Sequence, residues 1–182
     1  AHDPKCLDRI IRLVGSHQVE PLGGGFYEPI LSVIPREDAL AQIALLSNYW
    51  KSRCGVVPTG AWLSERVWEP SLAELLYDAN IRYTILDDQH VRFSGIVRDR
   101  MTGMYVTERH GEGLAFFPSV YKLRYLIPFR PMDRVREHFA ELAARTPAPL
   151  VTYGDDAEKF GLWPGTHQWV FKEKWLEQFF SY

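Results

Sequence analysis

Short stretches rich in β-branched and aromatic residues alternate with longer stretches whose apolar residues recur every three or four positions. That alternation restricts the fold more than any other feature of the chain. Leu7, Ile10, Ile11 and Val14 follow Asp3-Pro4 at helical spacing and Gly15 stops them, which predicts an amphipathic helix over residues 4–14. A strand is expected at 18–22. After Gly23-Gly24-Gly25 comes a helix bearing Ala39, Ile43, Leu46 and Trp50, closed by Gly55. A strand at 61–63 leads to Pro70, which opens a helix with Ser71 and Glu74 as a capping box and Leu72, Leu75, Leu76 and Ala79 on its apolar face. The strand 83–86 succeeds it. Residues 91–128 break the rhythm, with 104–107 and 114–117 expected to form a hairpin or an irregular excursion around Gly111 and Gly113, and a helix expected over 120–126. Val135, Phe139 and Leu142 mark a further helix, 150–153 a further strand, and an aromatic-rich helix runs from about 168 to 180. Strands alternating with helices imply right-handed crossovers and a parallel sheet, so the fold class is α/β, doubly wound or a barrel.

At 182 residues and 21.1 kDa the chain has the length of one compact unit. Lys and Arg number 21 against 23 Asp and Glu, a net charge of −2. A chain so balanced lacks the electrostatic footprint of a nucleic-acid or anionic-membrane binder, so its partner is expected to be neutral. Aromatics reach 14% with 6 Trp, and such rings stack on flat, apolar ligand faces. Cys6 and Cys54 are too few for a disulfide framework or a four-thiolate zinc site and are read as reduced core residues. No apolar run approaches the ~20 residues of a membrane span. The opening Ala1-His2-Asp3-Pro4 has no initiator Met and no signal-peptide pattern, and it reads as the start of an excerpt from a longer protein. Together with the reduced thiols this points to the cytoplasm.

Glu20, Glu65, Asp87-Asp88 and Asp155-Asp156 each stand at the carboxyl end of a predicted strand. In parallel α/β architectures that rim is where ligands bind. The segment Trp62 to Pro70 sets Glu65 among aromatics, and Arg66 beside it favours an ionised carboxylate, as a nucleophile requires. The plainer alternative is a structural Glu65–Arg66 ion pair. In Tyr153 to Pro164 the adjacent Asp155 and Asp156 repel as anions, which favours a retained proton and service as general acid. A helix N-cap or solvated turn is the plainer alternative there. A nucleophile and an acid from different strands make the pattern of a retaining glycosidase, whose two carboxyl groups lie ~5 Å apart across the scissile bond.

The ordered motifs Gln18-Val19-Glu20, Gly23 to Pro29, Trp62 to Pro70 with its Glu-Arg-Val-Trp centre, Leu86-Asp87-Asp88-Gln89-His90, Leu123 to Phe129 and Asp155 to Trp163 resemble glycoside hydrolase family 57. The likeness is greatest to its 4-α-glucanotransferase and α-amylase branch. The resemblance runs over nearly the whole chain, although His17 stands where the family usually has Gly before Gln-x-Glu. It implies parallel β/α units forming part of an incomplete seven-stranded β/α barrel, with residues 1–182 as the central part of the catalytic barrel. It implies Glu65 as nucleophile, Asp156 as general acid, Glu20 lining the site, and Trp62 and Trp163 as sugar platforms. Arg66, Trp68, His90 and Asp155 join them as substrate-binding residues. The substrate implied is an α-glucan or maltooligosaccharide, without cofactor or metal and without nucleic-acid or membrane partners; a second copy of the complete protein, in a homo-oligomer, is the remaining candidate partner.

The triple glycine lacks a following Gly-Lys-Ser/Thr and is read as a tight turn that lets backbone approach a ligand. His110, His138 and His167 are read as solvated or structural, and Trp50, Trp169 and Trp175 as packing residues. Two rival readings stand. One is a metal-dependent carbohydrate deacetylase using Asp87, Asp88 and His90, which a chelator would inactivate; the other is a non-catalytic glucan-binding fragment.

Overall fold

The computed structural model describes residues 4–97 and 101–182, and they divide into two compact units where length alone predicts one. The first holds residues 4–86 and 105–117, and the second holds 87–97, 101–104 and 118–182.

In the first unit, helix α1 spans Pro4–Gly15 as the spacing predicts; Asp3 lies outside the described residues. Helix α2 spans Arg36–Cys54 and buries Ala39 and Ile43. It ends where Gly55 turns left-handed, φ 73°, so that its N–H reaches the Lys51 carbonyl at 3.0 Å. Helix α3, Ser71–Asp78, buries Leu72, Ala73, Leu75 and Leu76. The expected capping box does not form. The Ser71 hydroxyl donates to Glu69, and the Glu74 carboxylate lies 3.9 Å from Arg36 and 3.6 Å from Arg109 instead.

Strand β1 is Gly60–Ala61, β2 is Tyr83–Asp87, β3 is Tyr105–Arg109 and β4 is Glu112–Ser119, in the sheet order β1-β2-β4-β3. β1 and β2 are parallel, as a β/α unit with α3 as its crossover requires. The hairpin adds an antiparallel pair, so the sheet is mixed rather than purely parallel. His110 and Gly111 at its tip both have positive φ, 53° and 86°, which matches the twist of a two-residue hairpin turn. Ala61, Leu63, Leu76, Ile81, Leu86 and Leu114 form the buried apolar interior of this unit. The strand expected at 18–22 is absent. Pro21 has no N–H to give a ladder, and pairing reduces to one parallel bridge, Gly23 to Ala61. The expected 61–63 strand likewise stops at Ala61, because the chain then enters a 3-10 turn, Ser64–Arg66.

In the second unit, α4 spans Asp88–Phe93, α5 Tyr121–Leu126, α6 Met132–Arg145 and α7 Trp175–Phe180. Its core gathers Val120, Leu123, Ile127, Met132, Val135 and Trp175. The strand expected at 150–153 reduces to a parallel bridge between Ser119 and Thr152, closed by Val120 N–H to the Thr152 carbonyl at 2.9 Å. The helix expected over 168–180 is broken: a π turn, Gln168–Lys172, is followed by Lys174 in the left-handed region, φ 59°, before α7 begins. The buried Trp175 indole donates to the Arg130 carbonyl at 2.6 Å, and that anchorage sets where the restart occurs.

Cys6 is exposed and Cys54 half-buried, so the two free thiols are not the core residues expected; Cys54 donates to the Trp50 carbonyl at 3.2 Å. Among the described residues no helix is long and apolar enough to cross a membrane.

Candidate active site

Glu65 belongs to the first unit and Asp156 to the second, and each is held by elements of its own unit.

Glu65 sits in the turn that follows β1. The strand is pinned before it turns: Gly23 N–H donates to the Gly60 carbonyl at 2.7 Å and Trp62 N–H to the Gly23 carbonyl at 2.9 Å. Gly24, φ 143°, presses on this strand so closely that a Cβ there would lie 2.6 Å from the Trp62 carbonyl oxygen. The triple glycine therefore serves close approach, as expected, but the partner it approaches is the Trp62 backbone. Beyond Leu63, whose side chain is buried, Glu65 and Arg66 both adopt left-handed backbone with φ 55° and 57°. Two consecutive non-glycine residues in this region cost on the order of 1–2 kcal/mol each. The turn holds because Arg66 N–H bonds the Leu63 carbonyl at 2.9 Å and Val67 N–H the Ser64 carbonyl at 3.2 Å. Its effect is to leave the Glu65 side chain exposed at the strand end. The Arg66 guanidinium lies over the Trp62 ring, 6.0 Å from its centroid, so a cation–π contact ties the last residue of the turn to the chain before it. Trp68 is half-buried.

Glu20, in the extended segment after α1, accepts from the Tyr83 hydroxyl at 2.7 Å. Burial, then the neighbouring Glu20, pushes the Tyr83 phenol up to about 12, so it stays a donor across the working pH range. Tyr83 is a residue that motif reading did not single out. Its signal was its position at the start of β2, beside Gly60.

In the second unit Asp155 and Asp156 precede a 3-10 turn, Ala157–Phe160, with Asp156 at its N-cap but making no side-chain cap bond. The plainer N-cap alternative therefore places the residue correctly and the interaction wrongly. Asp156 is exposed, whereas the Asp155 side chain is 6% exposed and set between two cations. Lys159 Nζ donates to Asp155 Oδ2, Arg124 Nε lies 3.6 Å from the same oxygen, and the Tyr153 hydroxyl donates to it at 3.4 Å. Burial and the adjacent Asp155 both push the Tyr153 phenol up, which keeps it a donor. Mutual repulsion of the two aspartates is thus offset at Asp155 by fixed positive charge, which the acidic pair by itself does not suggest. Arg124 and Lys159 lie inside motifs already quoted, and the Asp155/Lys159 spacing of four was their only local signal.

Trp163 is 46% exposed and stacks on Phe129, centroids 5.8 Å apart and planes 19° apart, which leaves it able to offer a ring face. Trp175 is buried, and Trp169 donates its indole N–H to the Pro128 carbonyl, as packing roles require. His90 lies half-buried in α4. Asp87 accepts from Arg124 at 3.0 Å and caps α4 through Gln89 N–H at 3.1 Å, while Asp88 accepts from Tyr121 N–H at 3.2 Å. Those two carboxylates serve structural bonds, and among the described residues no group of three or more His, Cys, Asp or Glu gathers to hold a metal ion. The deacetylase alternative finds no support.

Residues 1–182 match the family model described as Glycosyl hydrolase family 57. The chain is 44% identical over 178 residues to an α-amylase of Pyrococcus abyssi, covering 98% of this chain and 27% of that protein. It is 42% identical over 178 residues to a 4-α-glucanotransferase of Thermococcus litoralis, with coverage of 98% and 27%. A crystal structure of the 4-α-glucanotransferase from Thermococcus litoralis superimposes with a TM-score of 0.93 at 42% identity, over 99% of this chain and 28% of that one. A GH57-type branching enzyme from Pyrococcus horikoshii shares the fold at a TM-score of 0.66 and 16% identity, over 94% of this chain and 43% of that one. The chain spans about a quarter of the length of the curated relatives it matches, 27% in each case named here.

Proposed function

The chain belongs to glycosyl hydrolase family 57, and from that premise we propose that it carries the catalytic carboxylates of a retaining enzyme acting on α-1,4-linked glucans. The observation that carries the reading is the match along the whole chain to an α-amylase and a 4-α-glucanotransferase, with Glu65 and Asp156 standing in the motifs that the resemblance assigns to nucleophile and acid.

A Glu65 carboxylate oxygen attacks the anomeric carbon as the bond to the leaving glycosidic oxygen breaks, and Asp156 gives that oxygen its proton. The product is a covalent glycosyl-enzyme. Asp156, now a carboxylate, takes a proton from the second nucleophile, whose oxygen bonds to the anomeric carbon and releases Glu65. Water as second nucleophile gives hydrolysis; the 4-hydroxyl of another glucan gives transfer. The exposed ring of Trp163, with half-buried Trp62 as the second platform that the resemblance implies, favours an acceptor sugar over water, so transfer is the outcome we favour. Glu20, Arg66, Trp68 and His90 complete the substrate-binding set in this reading, and Asp155, its side chain 6% exposed and both its oxygens already bonded, acts behind Asp156 rather than on the sugar. The free thiols of Cys6 and Cys54 accord with a reducing compartment, and the cytoplasm is the location proposed.

The test is the product profile of maltotriose given to the complete protein that contains this chain. A ladder of longer oligomers is the expected result, whereas glucose and maltose alone assign hydrolysis. Glu65→Gln abolishes both without unfolding the protein, and near-normal turnover in that variant refutes the nucleophile.

A further inference from the structure

We propose that Lys159 is a positioning residue for Asp156, acting through Asp155; the inference rests on the reading of Asp156 as general acid. The Lys159 side chain is 2% exposed, yet it ends in an ammonium with two oxygen acceptors. One is Asp155 Oδ2 and the other the Arg124 carbonyl at 2.7 Å. The remaining approach to the ammonium is closed by the rings of Phe129 and Tyr153, with centroids 5.1 and 5.5 Å away. The other oxygen of Asp155, Oδ1, accepts the backbone N–H of Asp156 at 3.0 Å. A rigid path therefore runs from Lys159 through the Asp155 carboxylate to the peptide from which the Asp156 side chain projects.

The path is braced from the far side. Arg124 lies between Asp155 and Asp87, and Asp87 caps α4, so the charges alternate as Asp87, Arg124, Asp155, Lys159 and sum to zero. Burying two ion pairs adds little net stability over an apolar replacement of the same shape, so stability is a weak reason for this arrangement. Its geometric product is a fixed Asp156 peptide. Its electrostatic product is an Asp155 anion neutralised where it would otherwise oppose ionisation of Asp156. A general acid must hold its proton before bond cleavage and release it during cleavage, and both needs are met best when the neighbouring charge is fixed.

The experiment uses the complete protein with maltooligosaccharide substrate and reads kcat, KM and the pH dependence of kcat/KM, with a thermal melt to establish folding. Lys159→Met leaves Asp155 less compensated. The expected results are a kcat lowered by about tenfold or more at little-changed KM and an alkaline limb displaced to higher pH as Asp156 holds its proton longer. Asp155→Asn replaces one heavy atom by another of equal size and removes the anion, so its alkaline limb moves to lower pH. Opposite displacements support the proposal. Folded variants whose limbs stay in place, or move the same way, overturn it. If Lys159→Met fails to fold, the direction of the Asp155→Asn limb decides alone. Asp156→Asn separates the underlying reading: an Asp156→Asn enzyme that keeps its turnover and alkaline limb removes Asp156 as the acid, whatever Lys159 does.

Discussion

The Tyr83 hydroxyl donates a 2.7 Å hydrogen bond to Oε1 of Glu20, joining the first residue of β2 to a segment sixty-three positions earlier. The bond exists because residue 60 has no side chain: a Cβ on Gly60 would fall 2.1 Å from the Tyr83 ring. The ring also meets Phe117 edge-on, with centroids 5.6 Å apart and planes at 90°. The phenol is thus aimed by packing, and Glu20 is oriented by the phenol.

Tyr83→Phe keeps the ring and deletes the donor. With Glu20 near solvent, the bond is worth ~1 kcal/mol, so kcat/KM for maltooligosaccharides falls roughly fivefold while the melting temperature changes little. Steady-state kinetics of the complete protein check this, and an unchanged kcat/KM would show that Glu20 needs no such support.

Gly60→Ala and Gly24→Ala both destabilise, for different reasons. At Gly60 the new methyl meets an aromatic ring that has to swing away, breaking the Tyr83–Glu20 bond as it goes. At Gly24 it meets the Trp62 carbonyl oxygen at 2.6 Å with φ at 143°, and neither backbone yields readily. Each substitution costs ~1–3 kcal/mol or more by overpacking. Thermal or urea unfolding measures the loss, and Gly60→Ala in addition carries the kinetic defect of Tyr83→Phe.

Trp175→Ala removes the largest fully buried side chain among the described residues, one that stacks on Phe179 at a centroid distance of 5.4 Å and bonds the Arg130 carbonyl. The expected cost is ~3–5 kcal/mol. Trp175→Phe retains much of the packing but leaves that carbonyl without its indole donor, costing ~1–3 kcal/mol. Denaturant titration orders the two variants, and equal losses would assign the whole effect to the missing hydrogen bond.

Acid sensitivity is expected at His138. It is buried in α6, its Nδ1 faces Glu141 at 3.2 Å, and its Nε2 has no hydrogen-bond partner among the described residues. Burial lowers its pKa from 6.5; Glu141 partly opposes this, and the charges of Lys122 and Arg145 add to the lowering. A histidine depressed in the folded state binds its proton more readily once unfolded. Its contribution to stability is therefore complete above about pH 6.5 and is lost as pH falls through the folded value. His138→Gln should flatten the decline in unfolding free energy between neutral pH and about pH 5. A decline as steep as the parent's would place the acid sensitivity elsewhere.

Helix positions were legible because each depends on a local period. The stripe Ala39, Ile43, Leu46, Trp50 and the stop at Gly55 describe α2, and Val135, Phe139 and Leu142 describe α6. Strand lengths were not legible. Whether residues 18–22 or 150–153 form a ladder depends on a neighbour's free edge, and in each case pairing shrank to a single bridge. The final helix broke at Lys174 because Trp175 is anchored by a carbonyl forty-five positions away, a contact no window of residues contains.

The chain's own order of residues determined its family, the helical stretches and the motifs in which the acids stand, since all of these are written in local spacing; of the four strand ends expected to carry acids, only those before Glu65 and at Asp87-Asp88 close a true strand. Only the three-dimensional packing decided how those acids are held. It put Glu65 in a left-handed turn beside a strand pinned by Gly23 and Gly24. It gave Glu20 a phenol from β2, and it set Asp155 between Arg124 and Lys159. The physical reason is reach: a period records what a residue's near neighbours bury, while a charge or a donor is satisfied by whatever group the fold brings within about 3 Å.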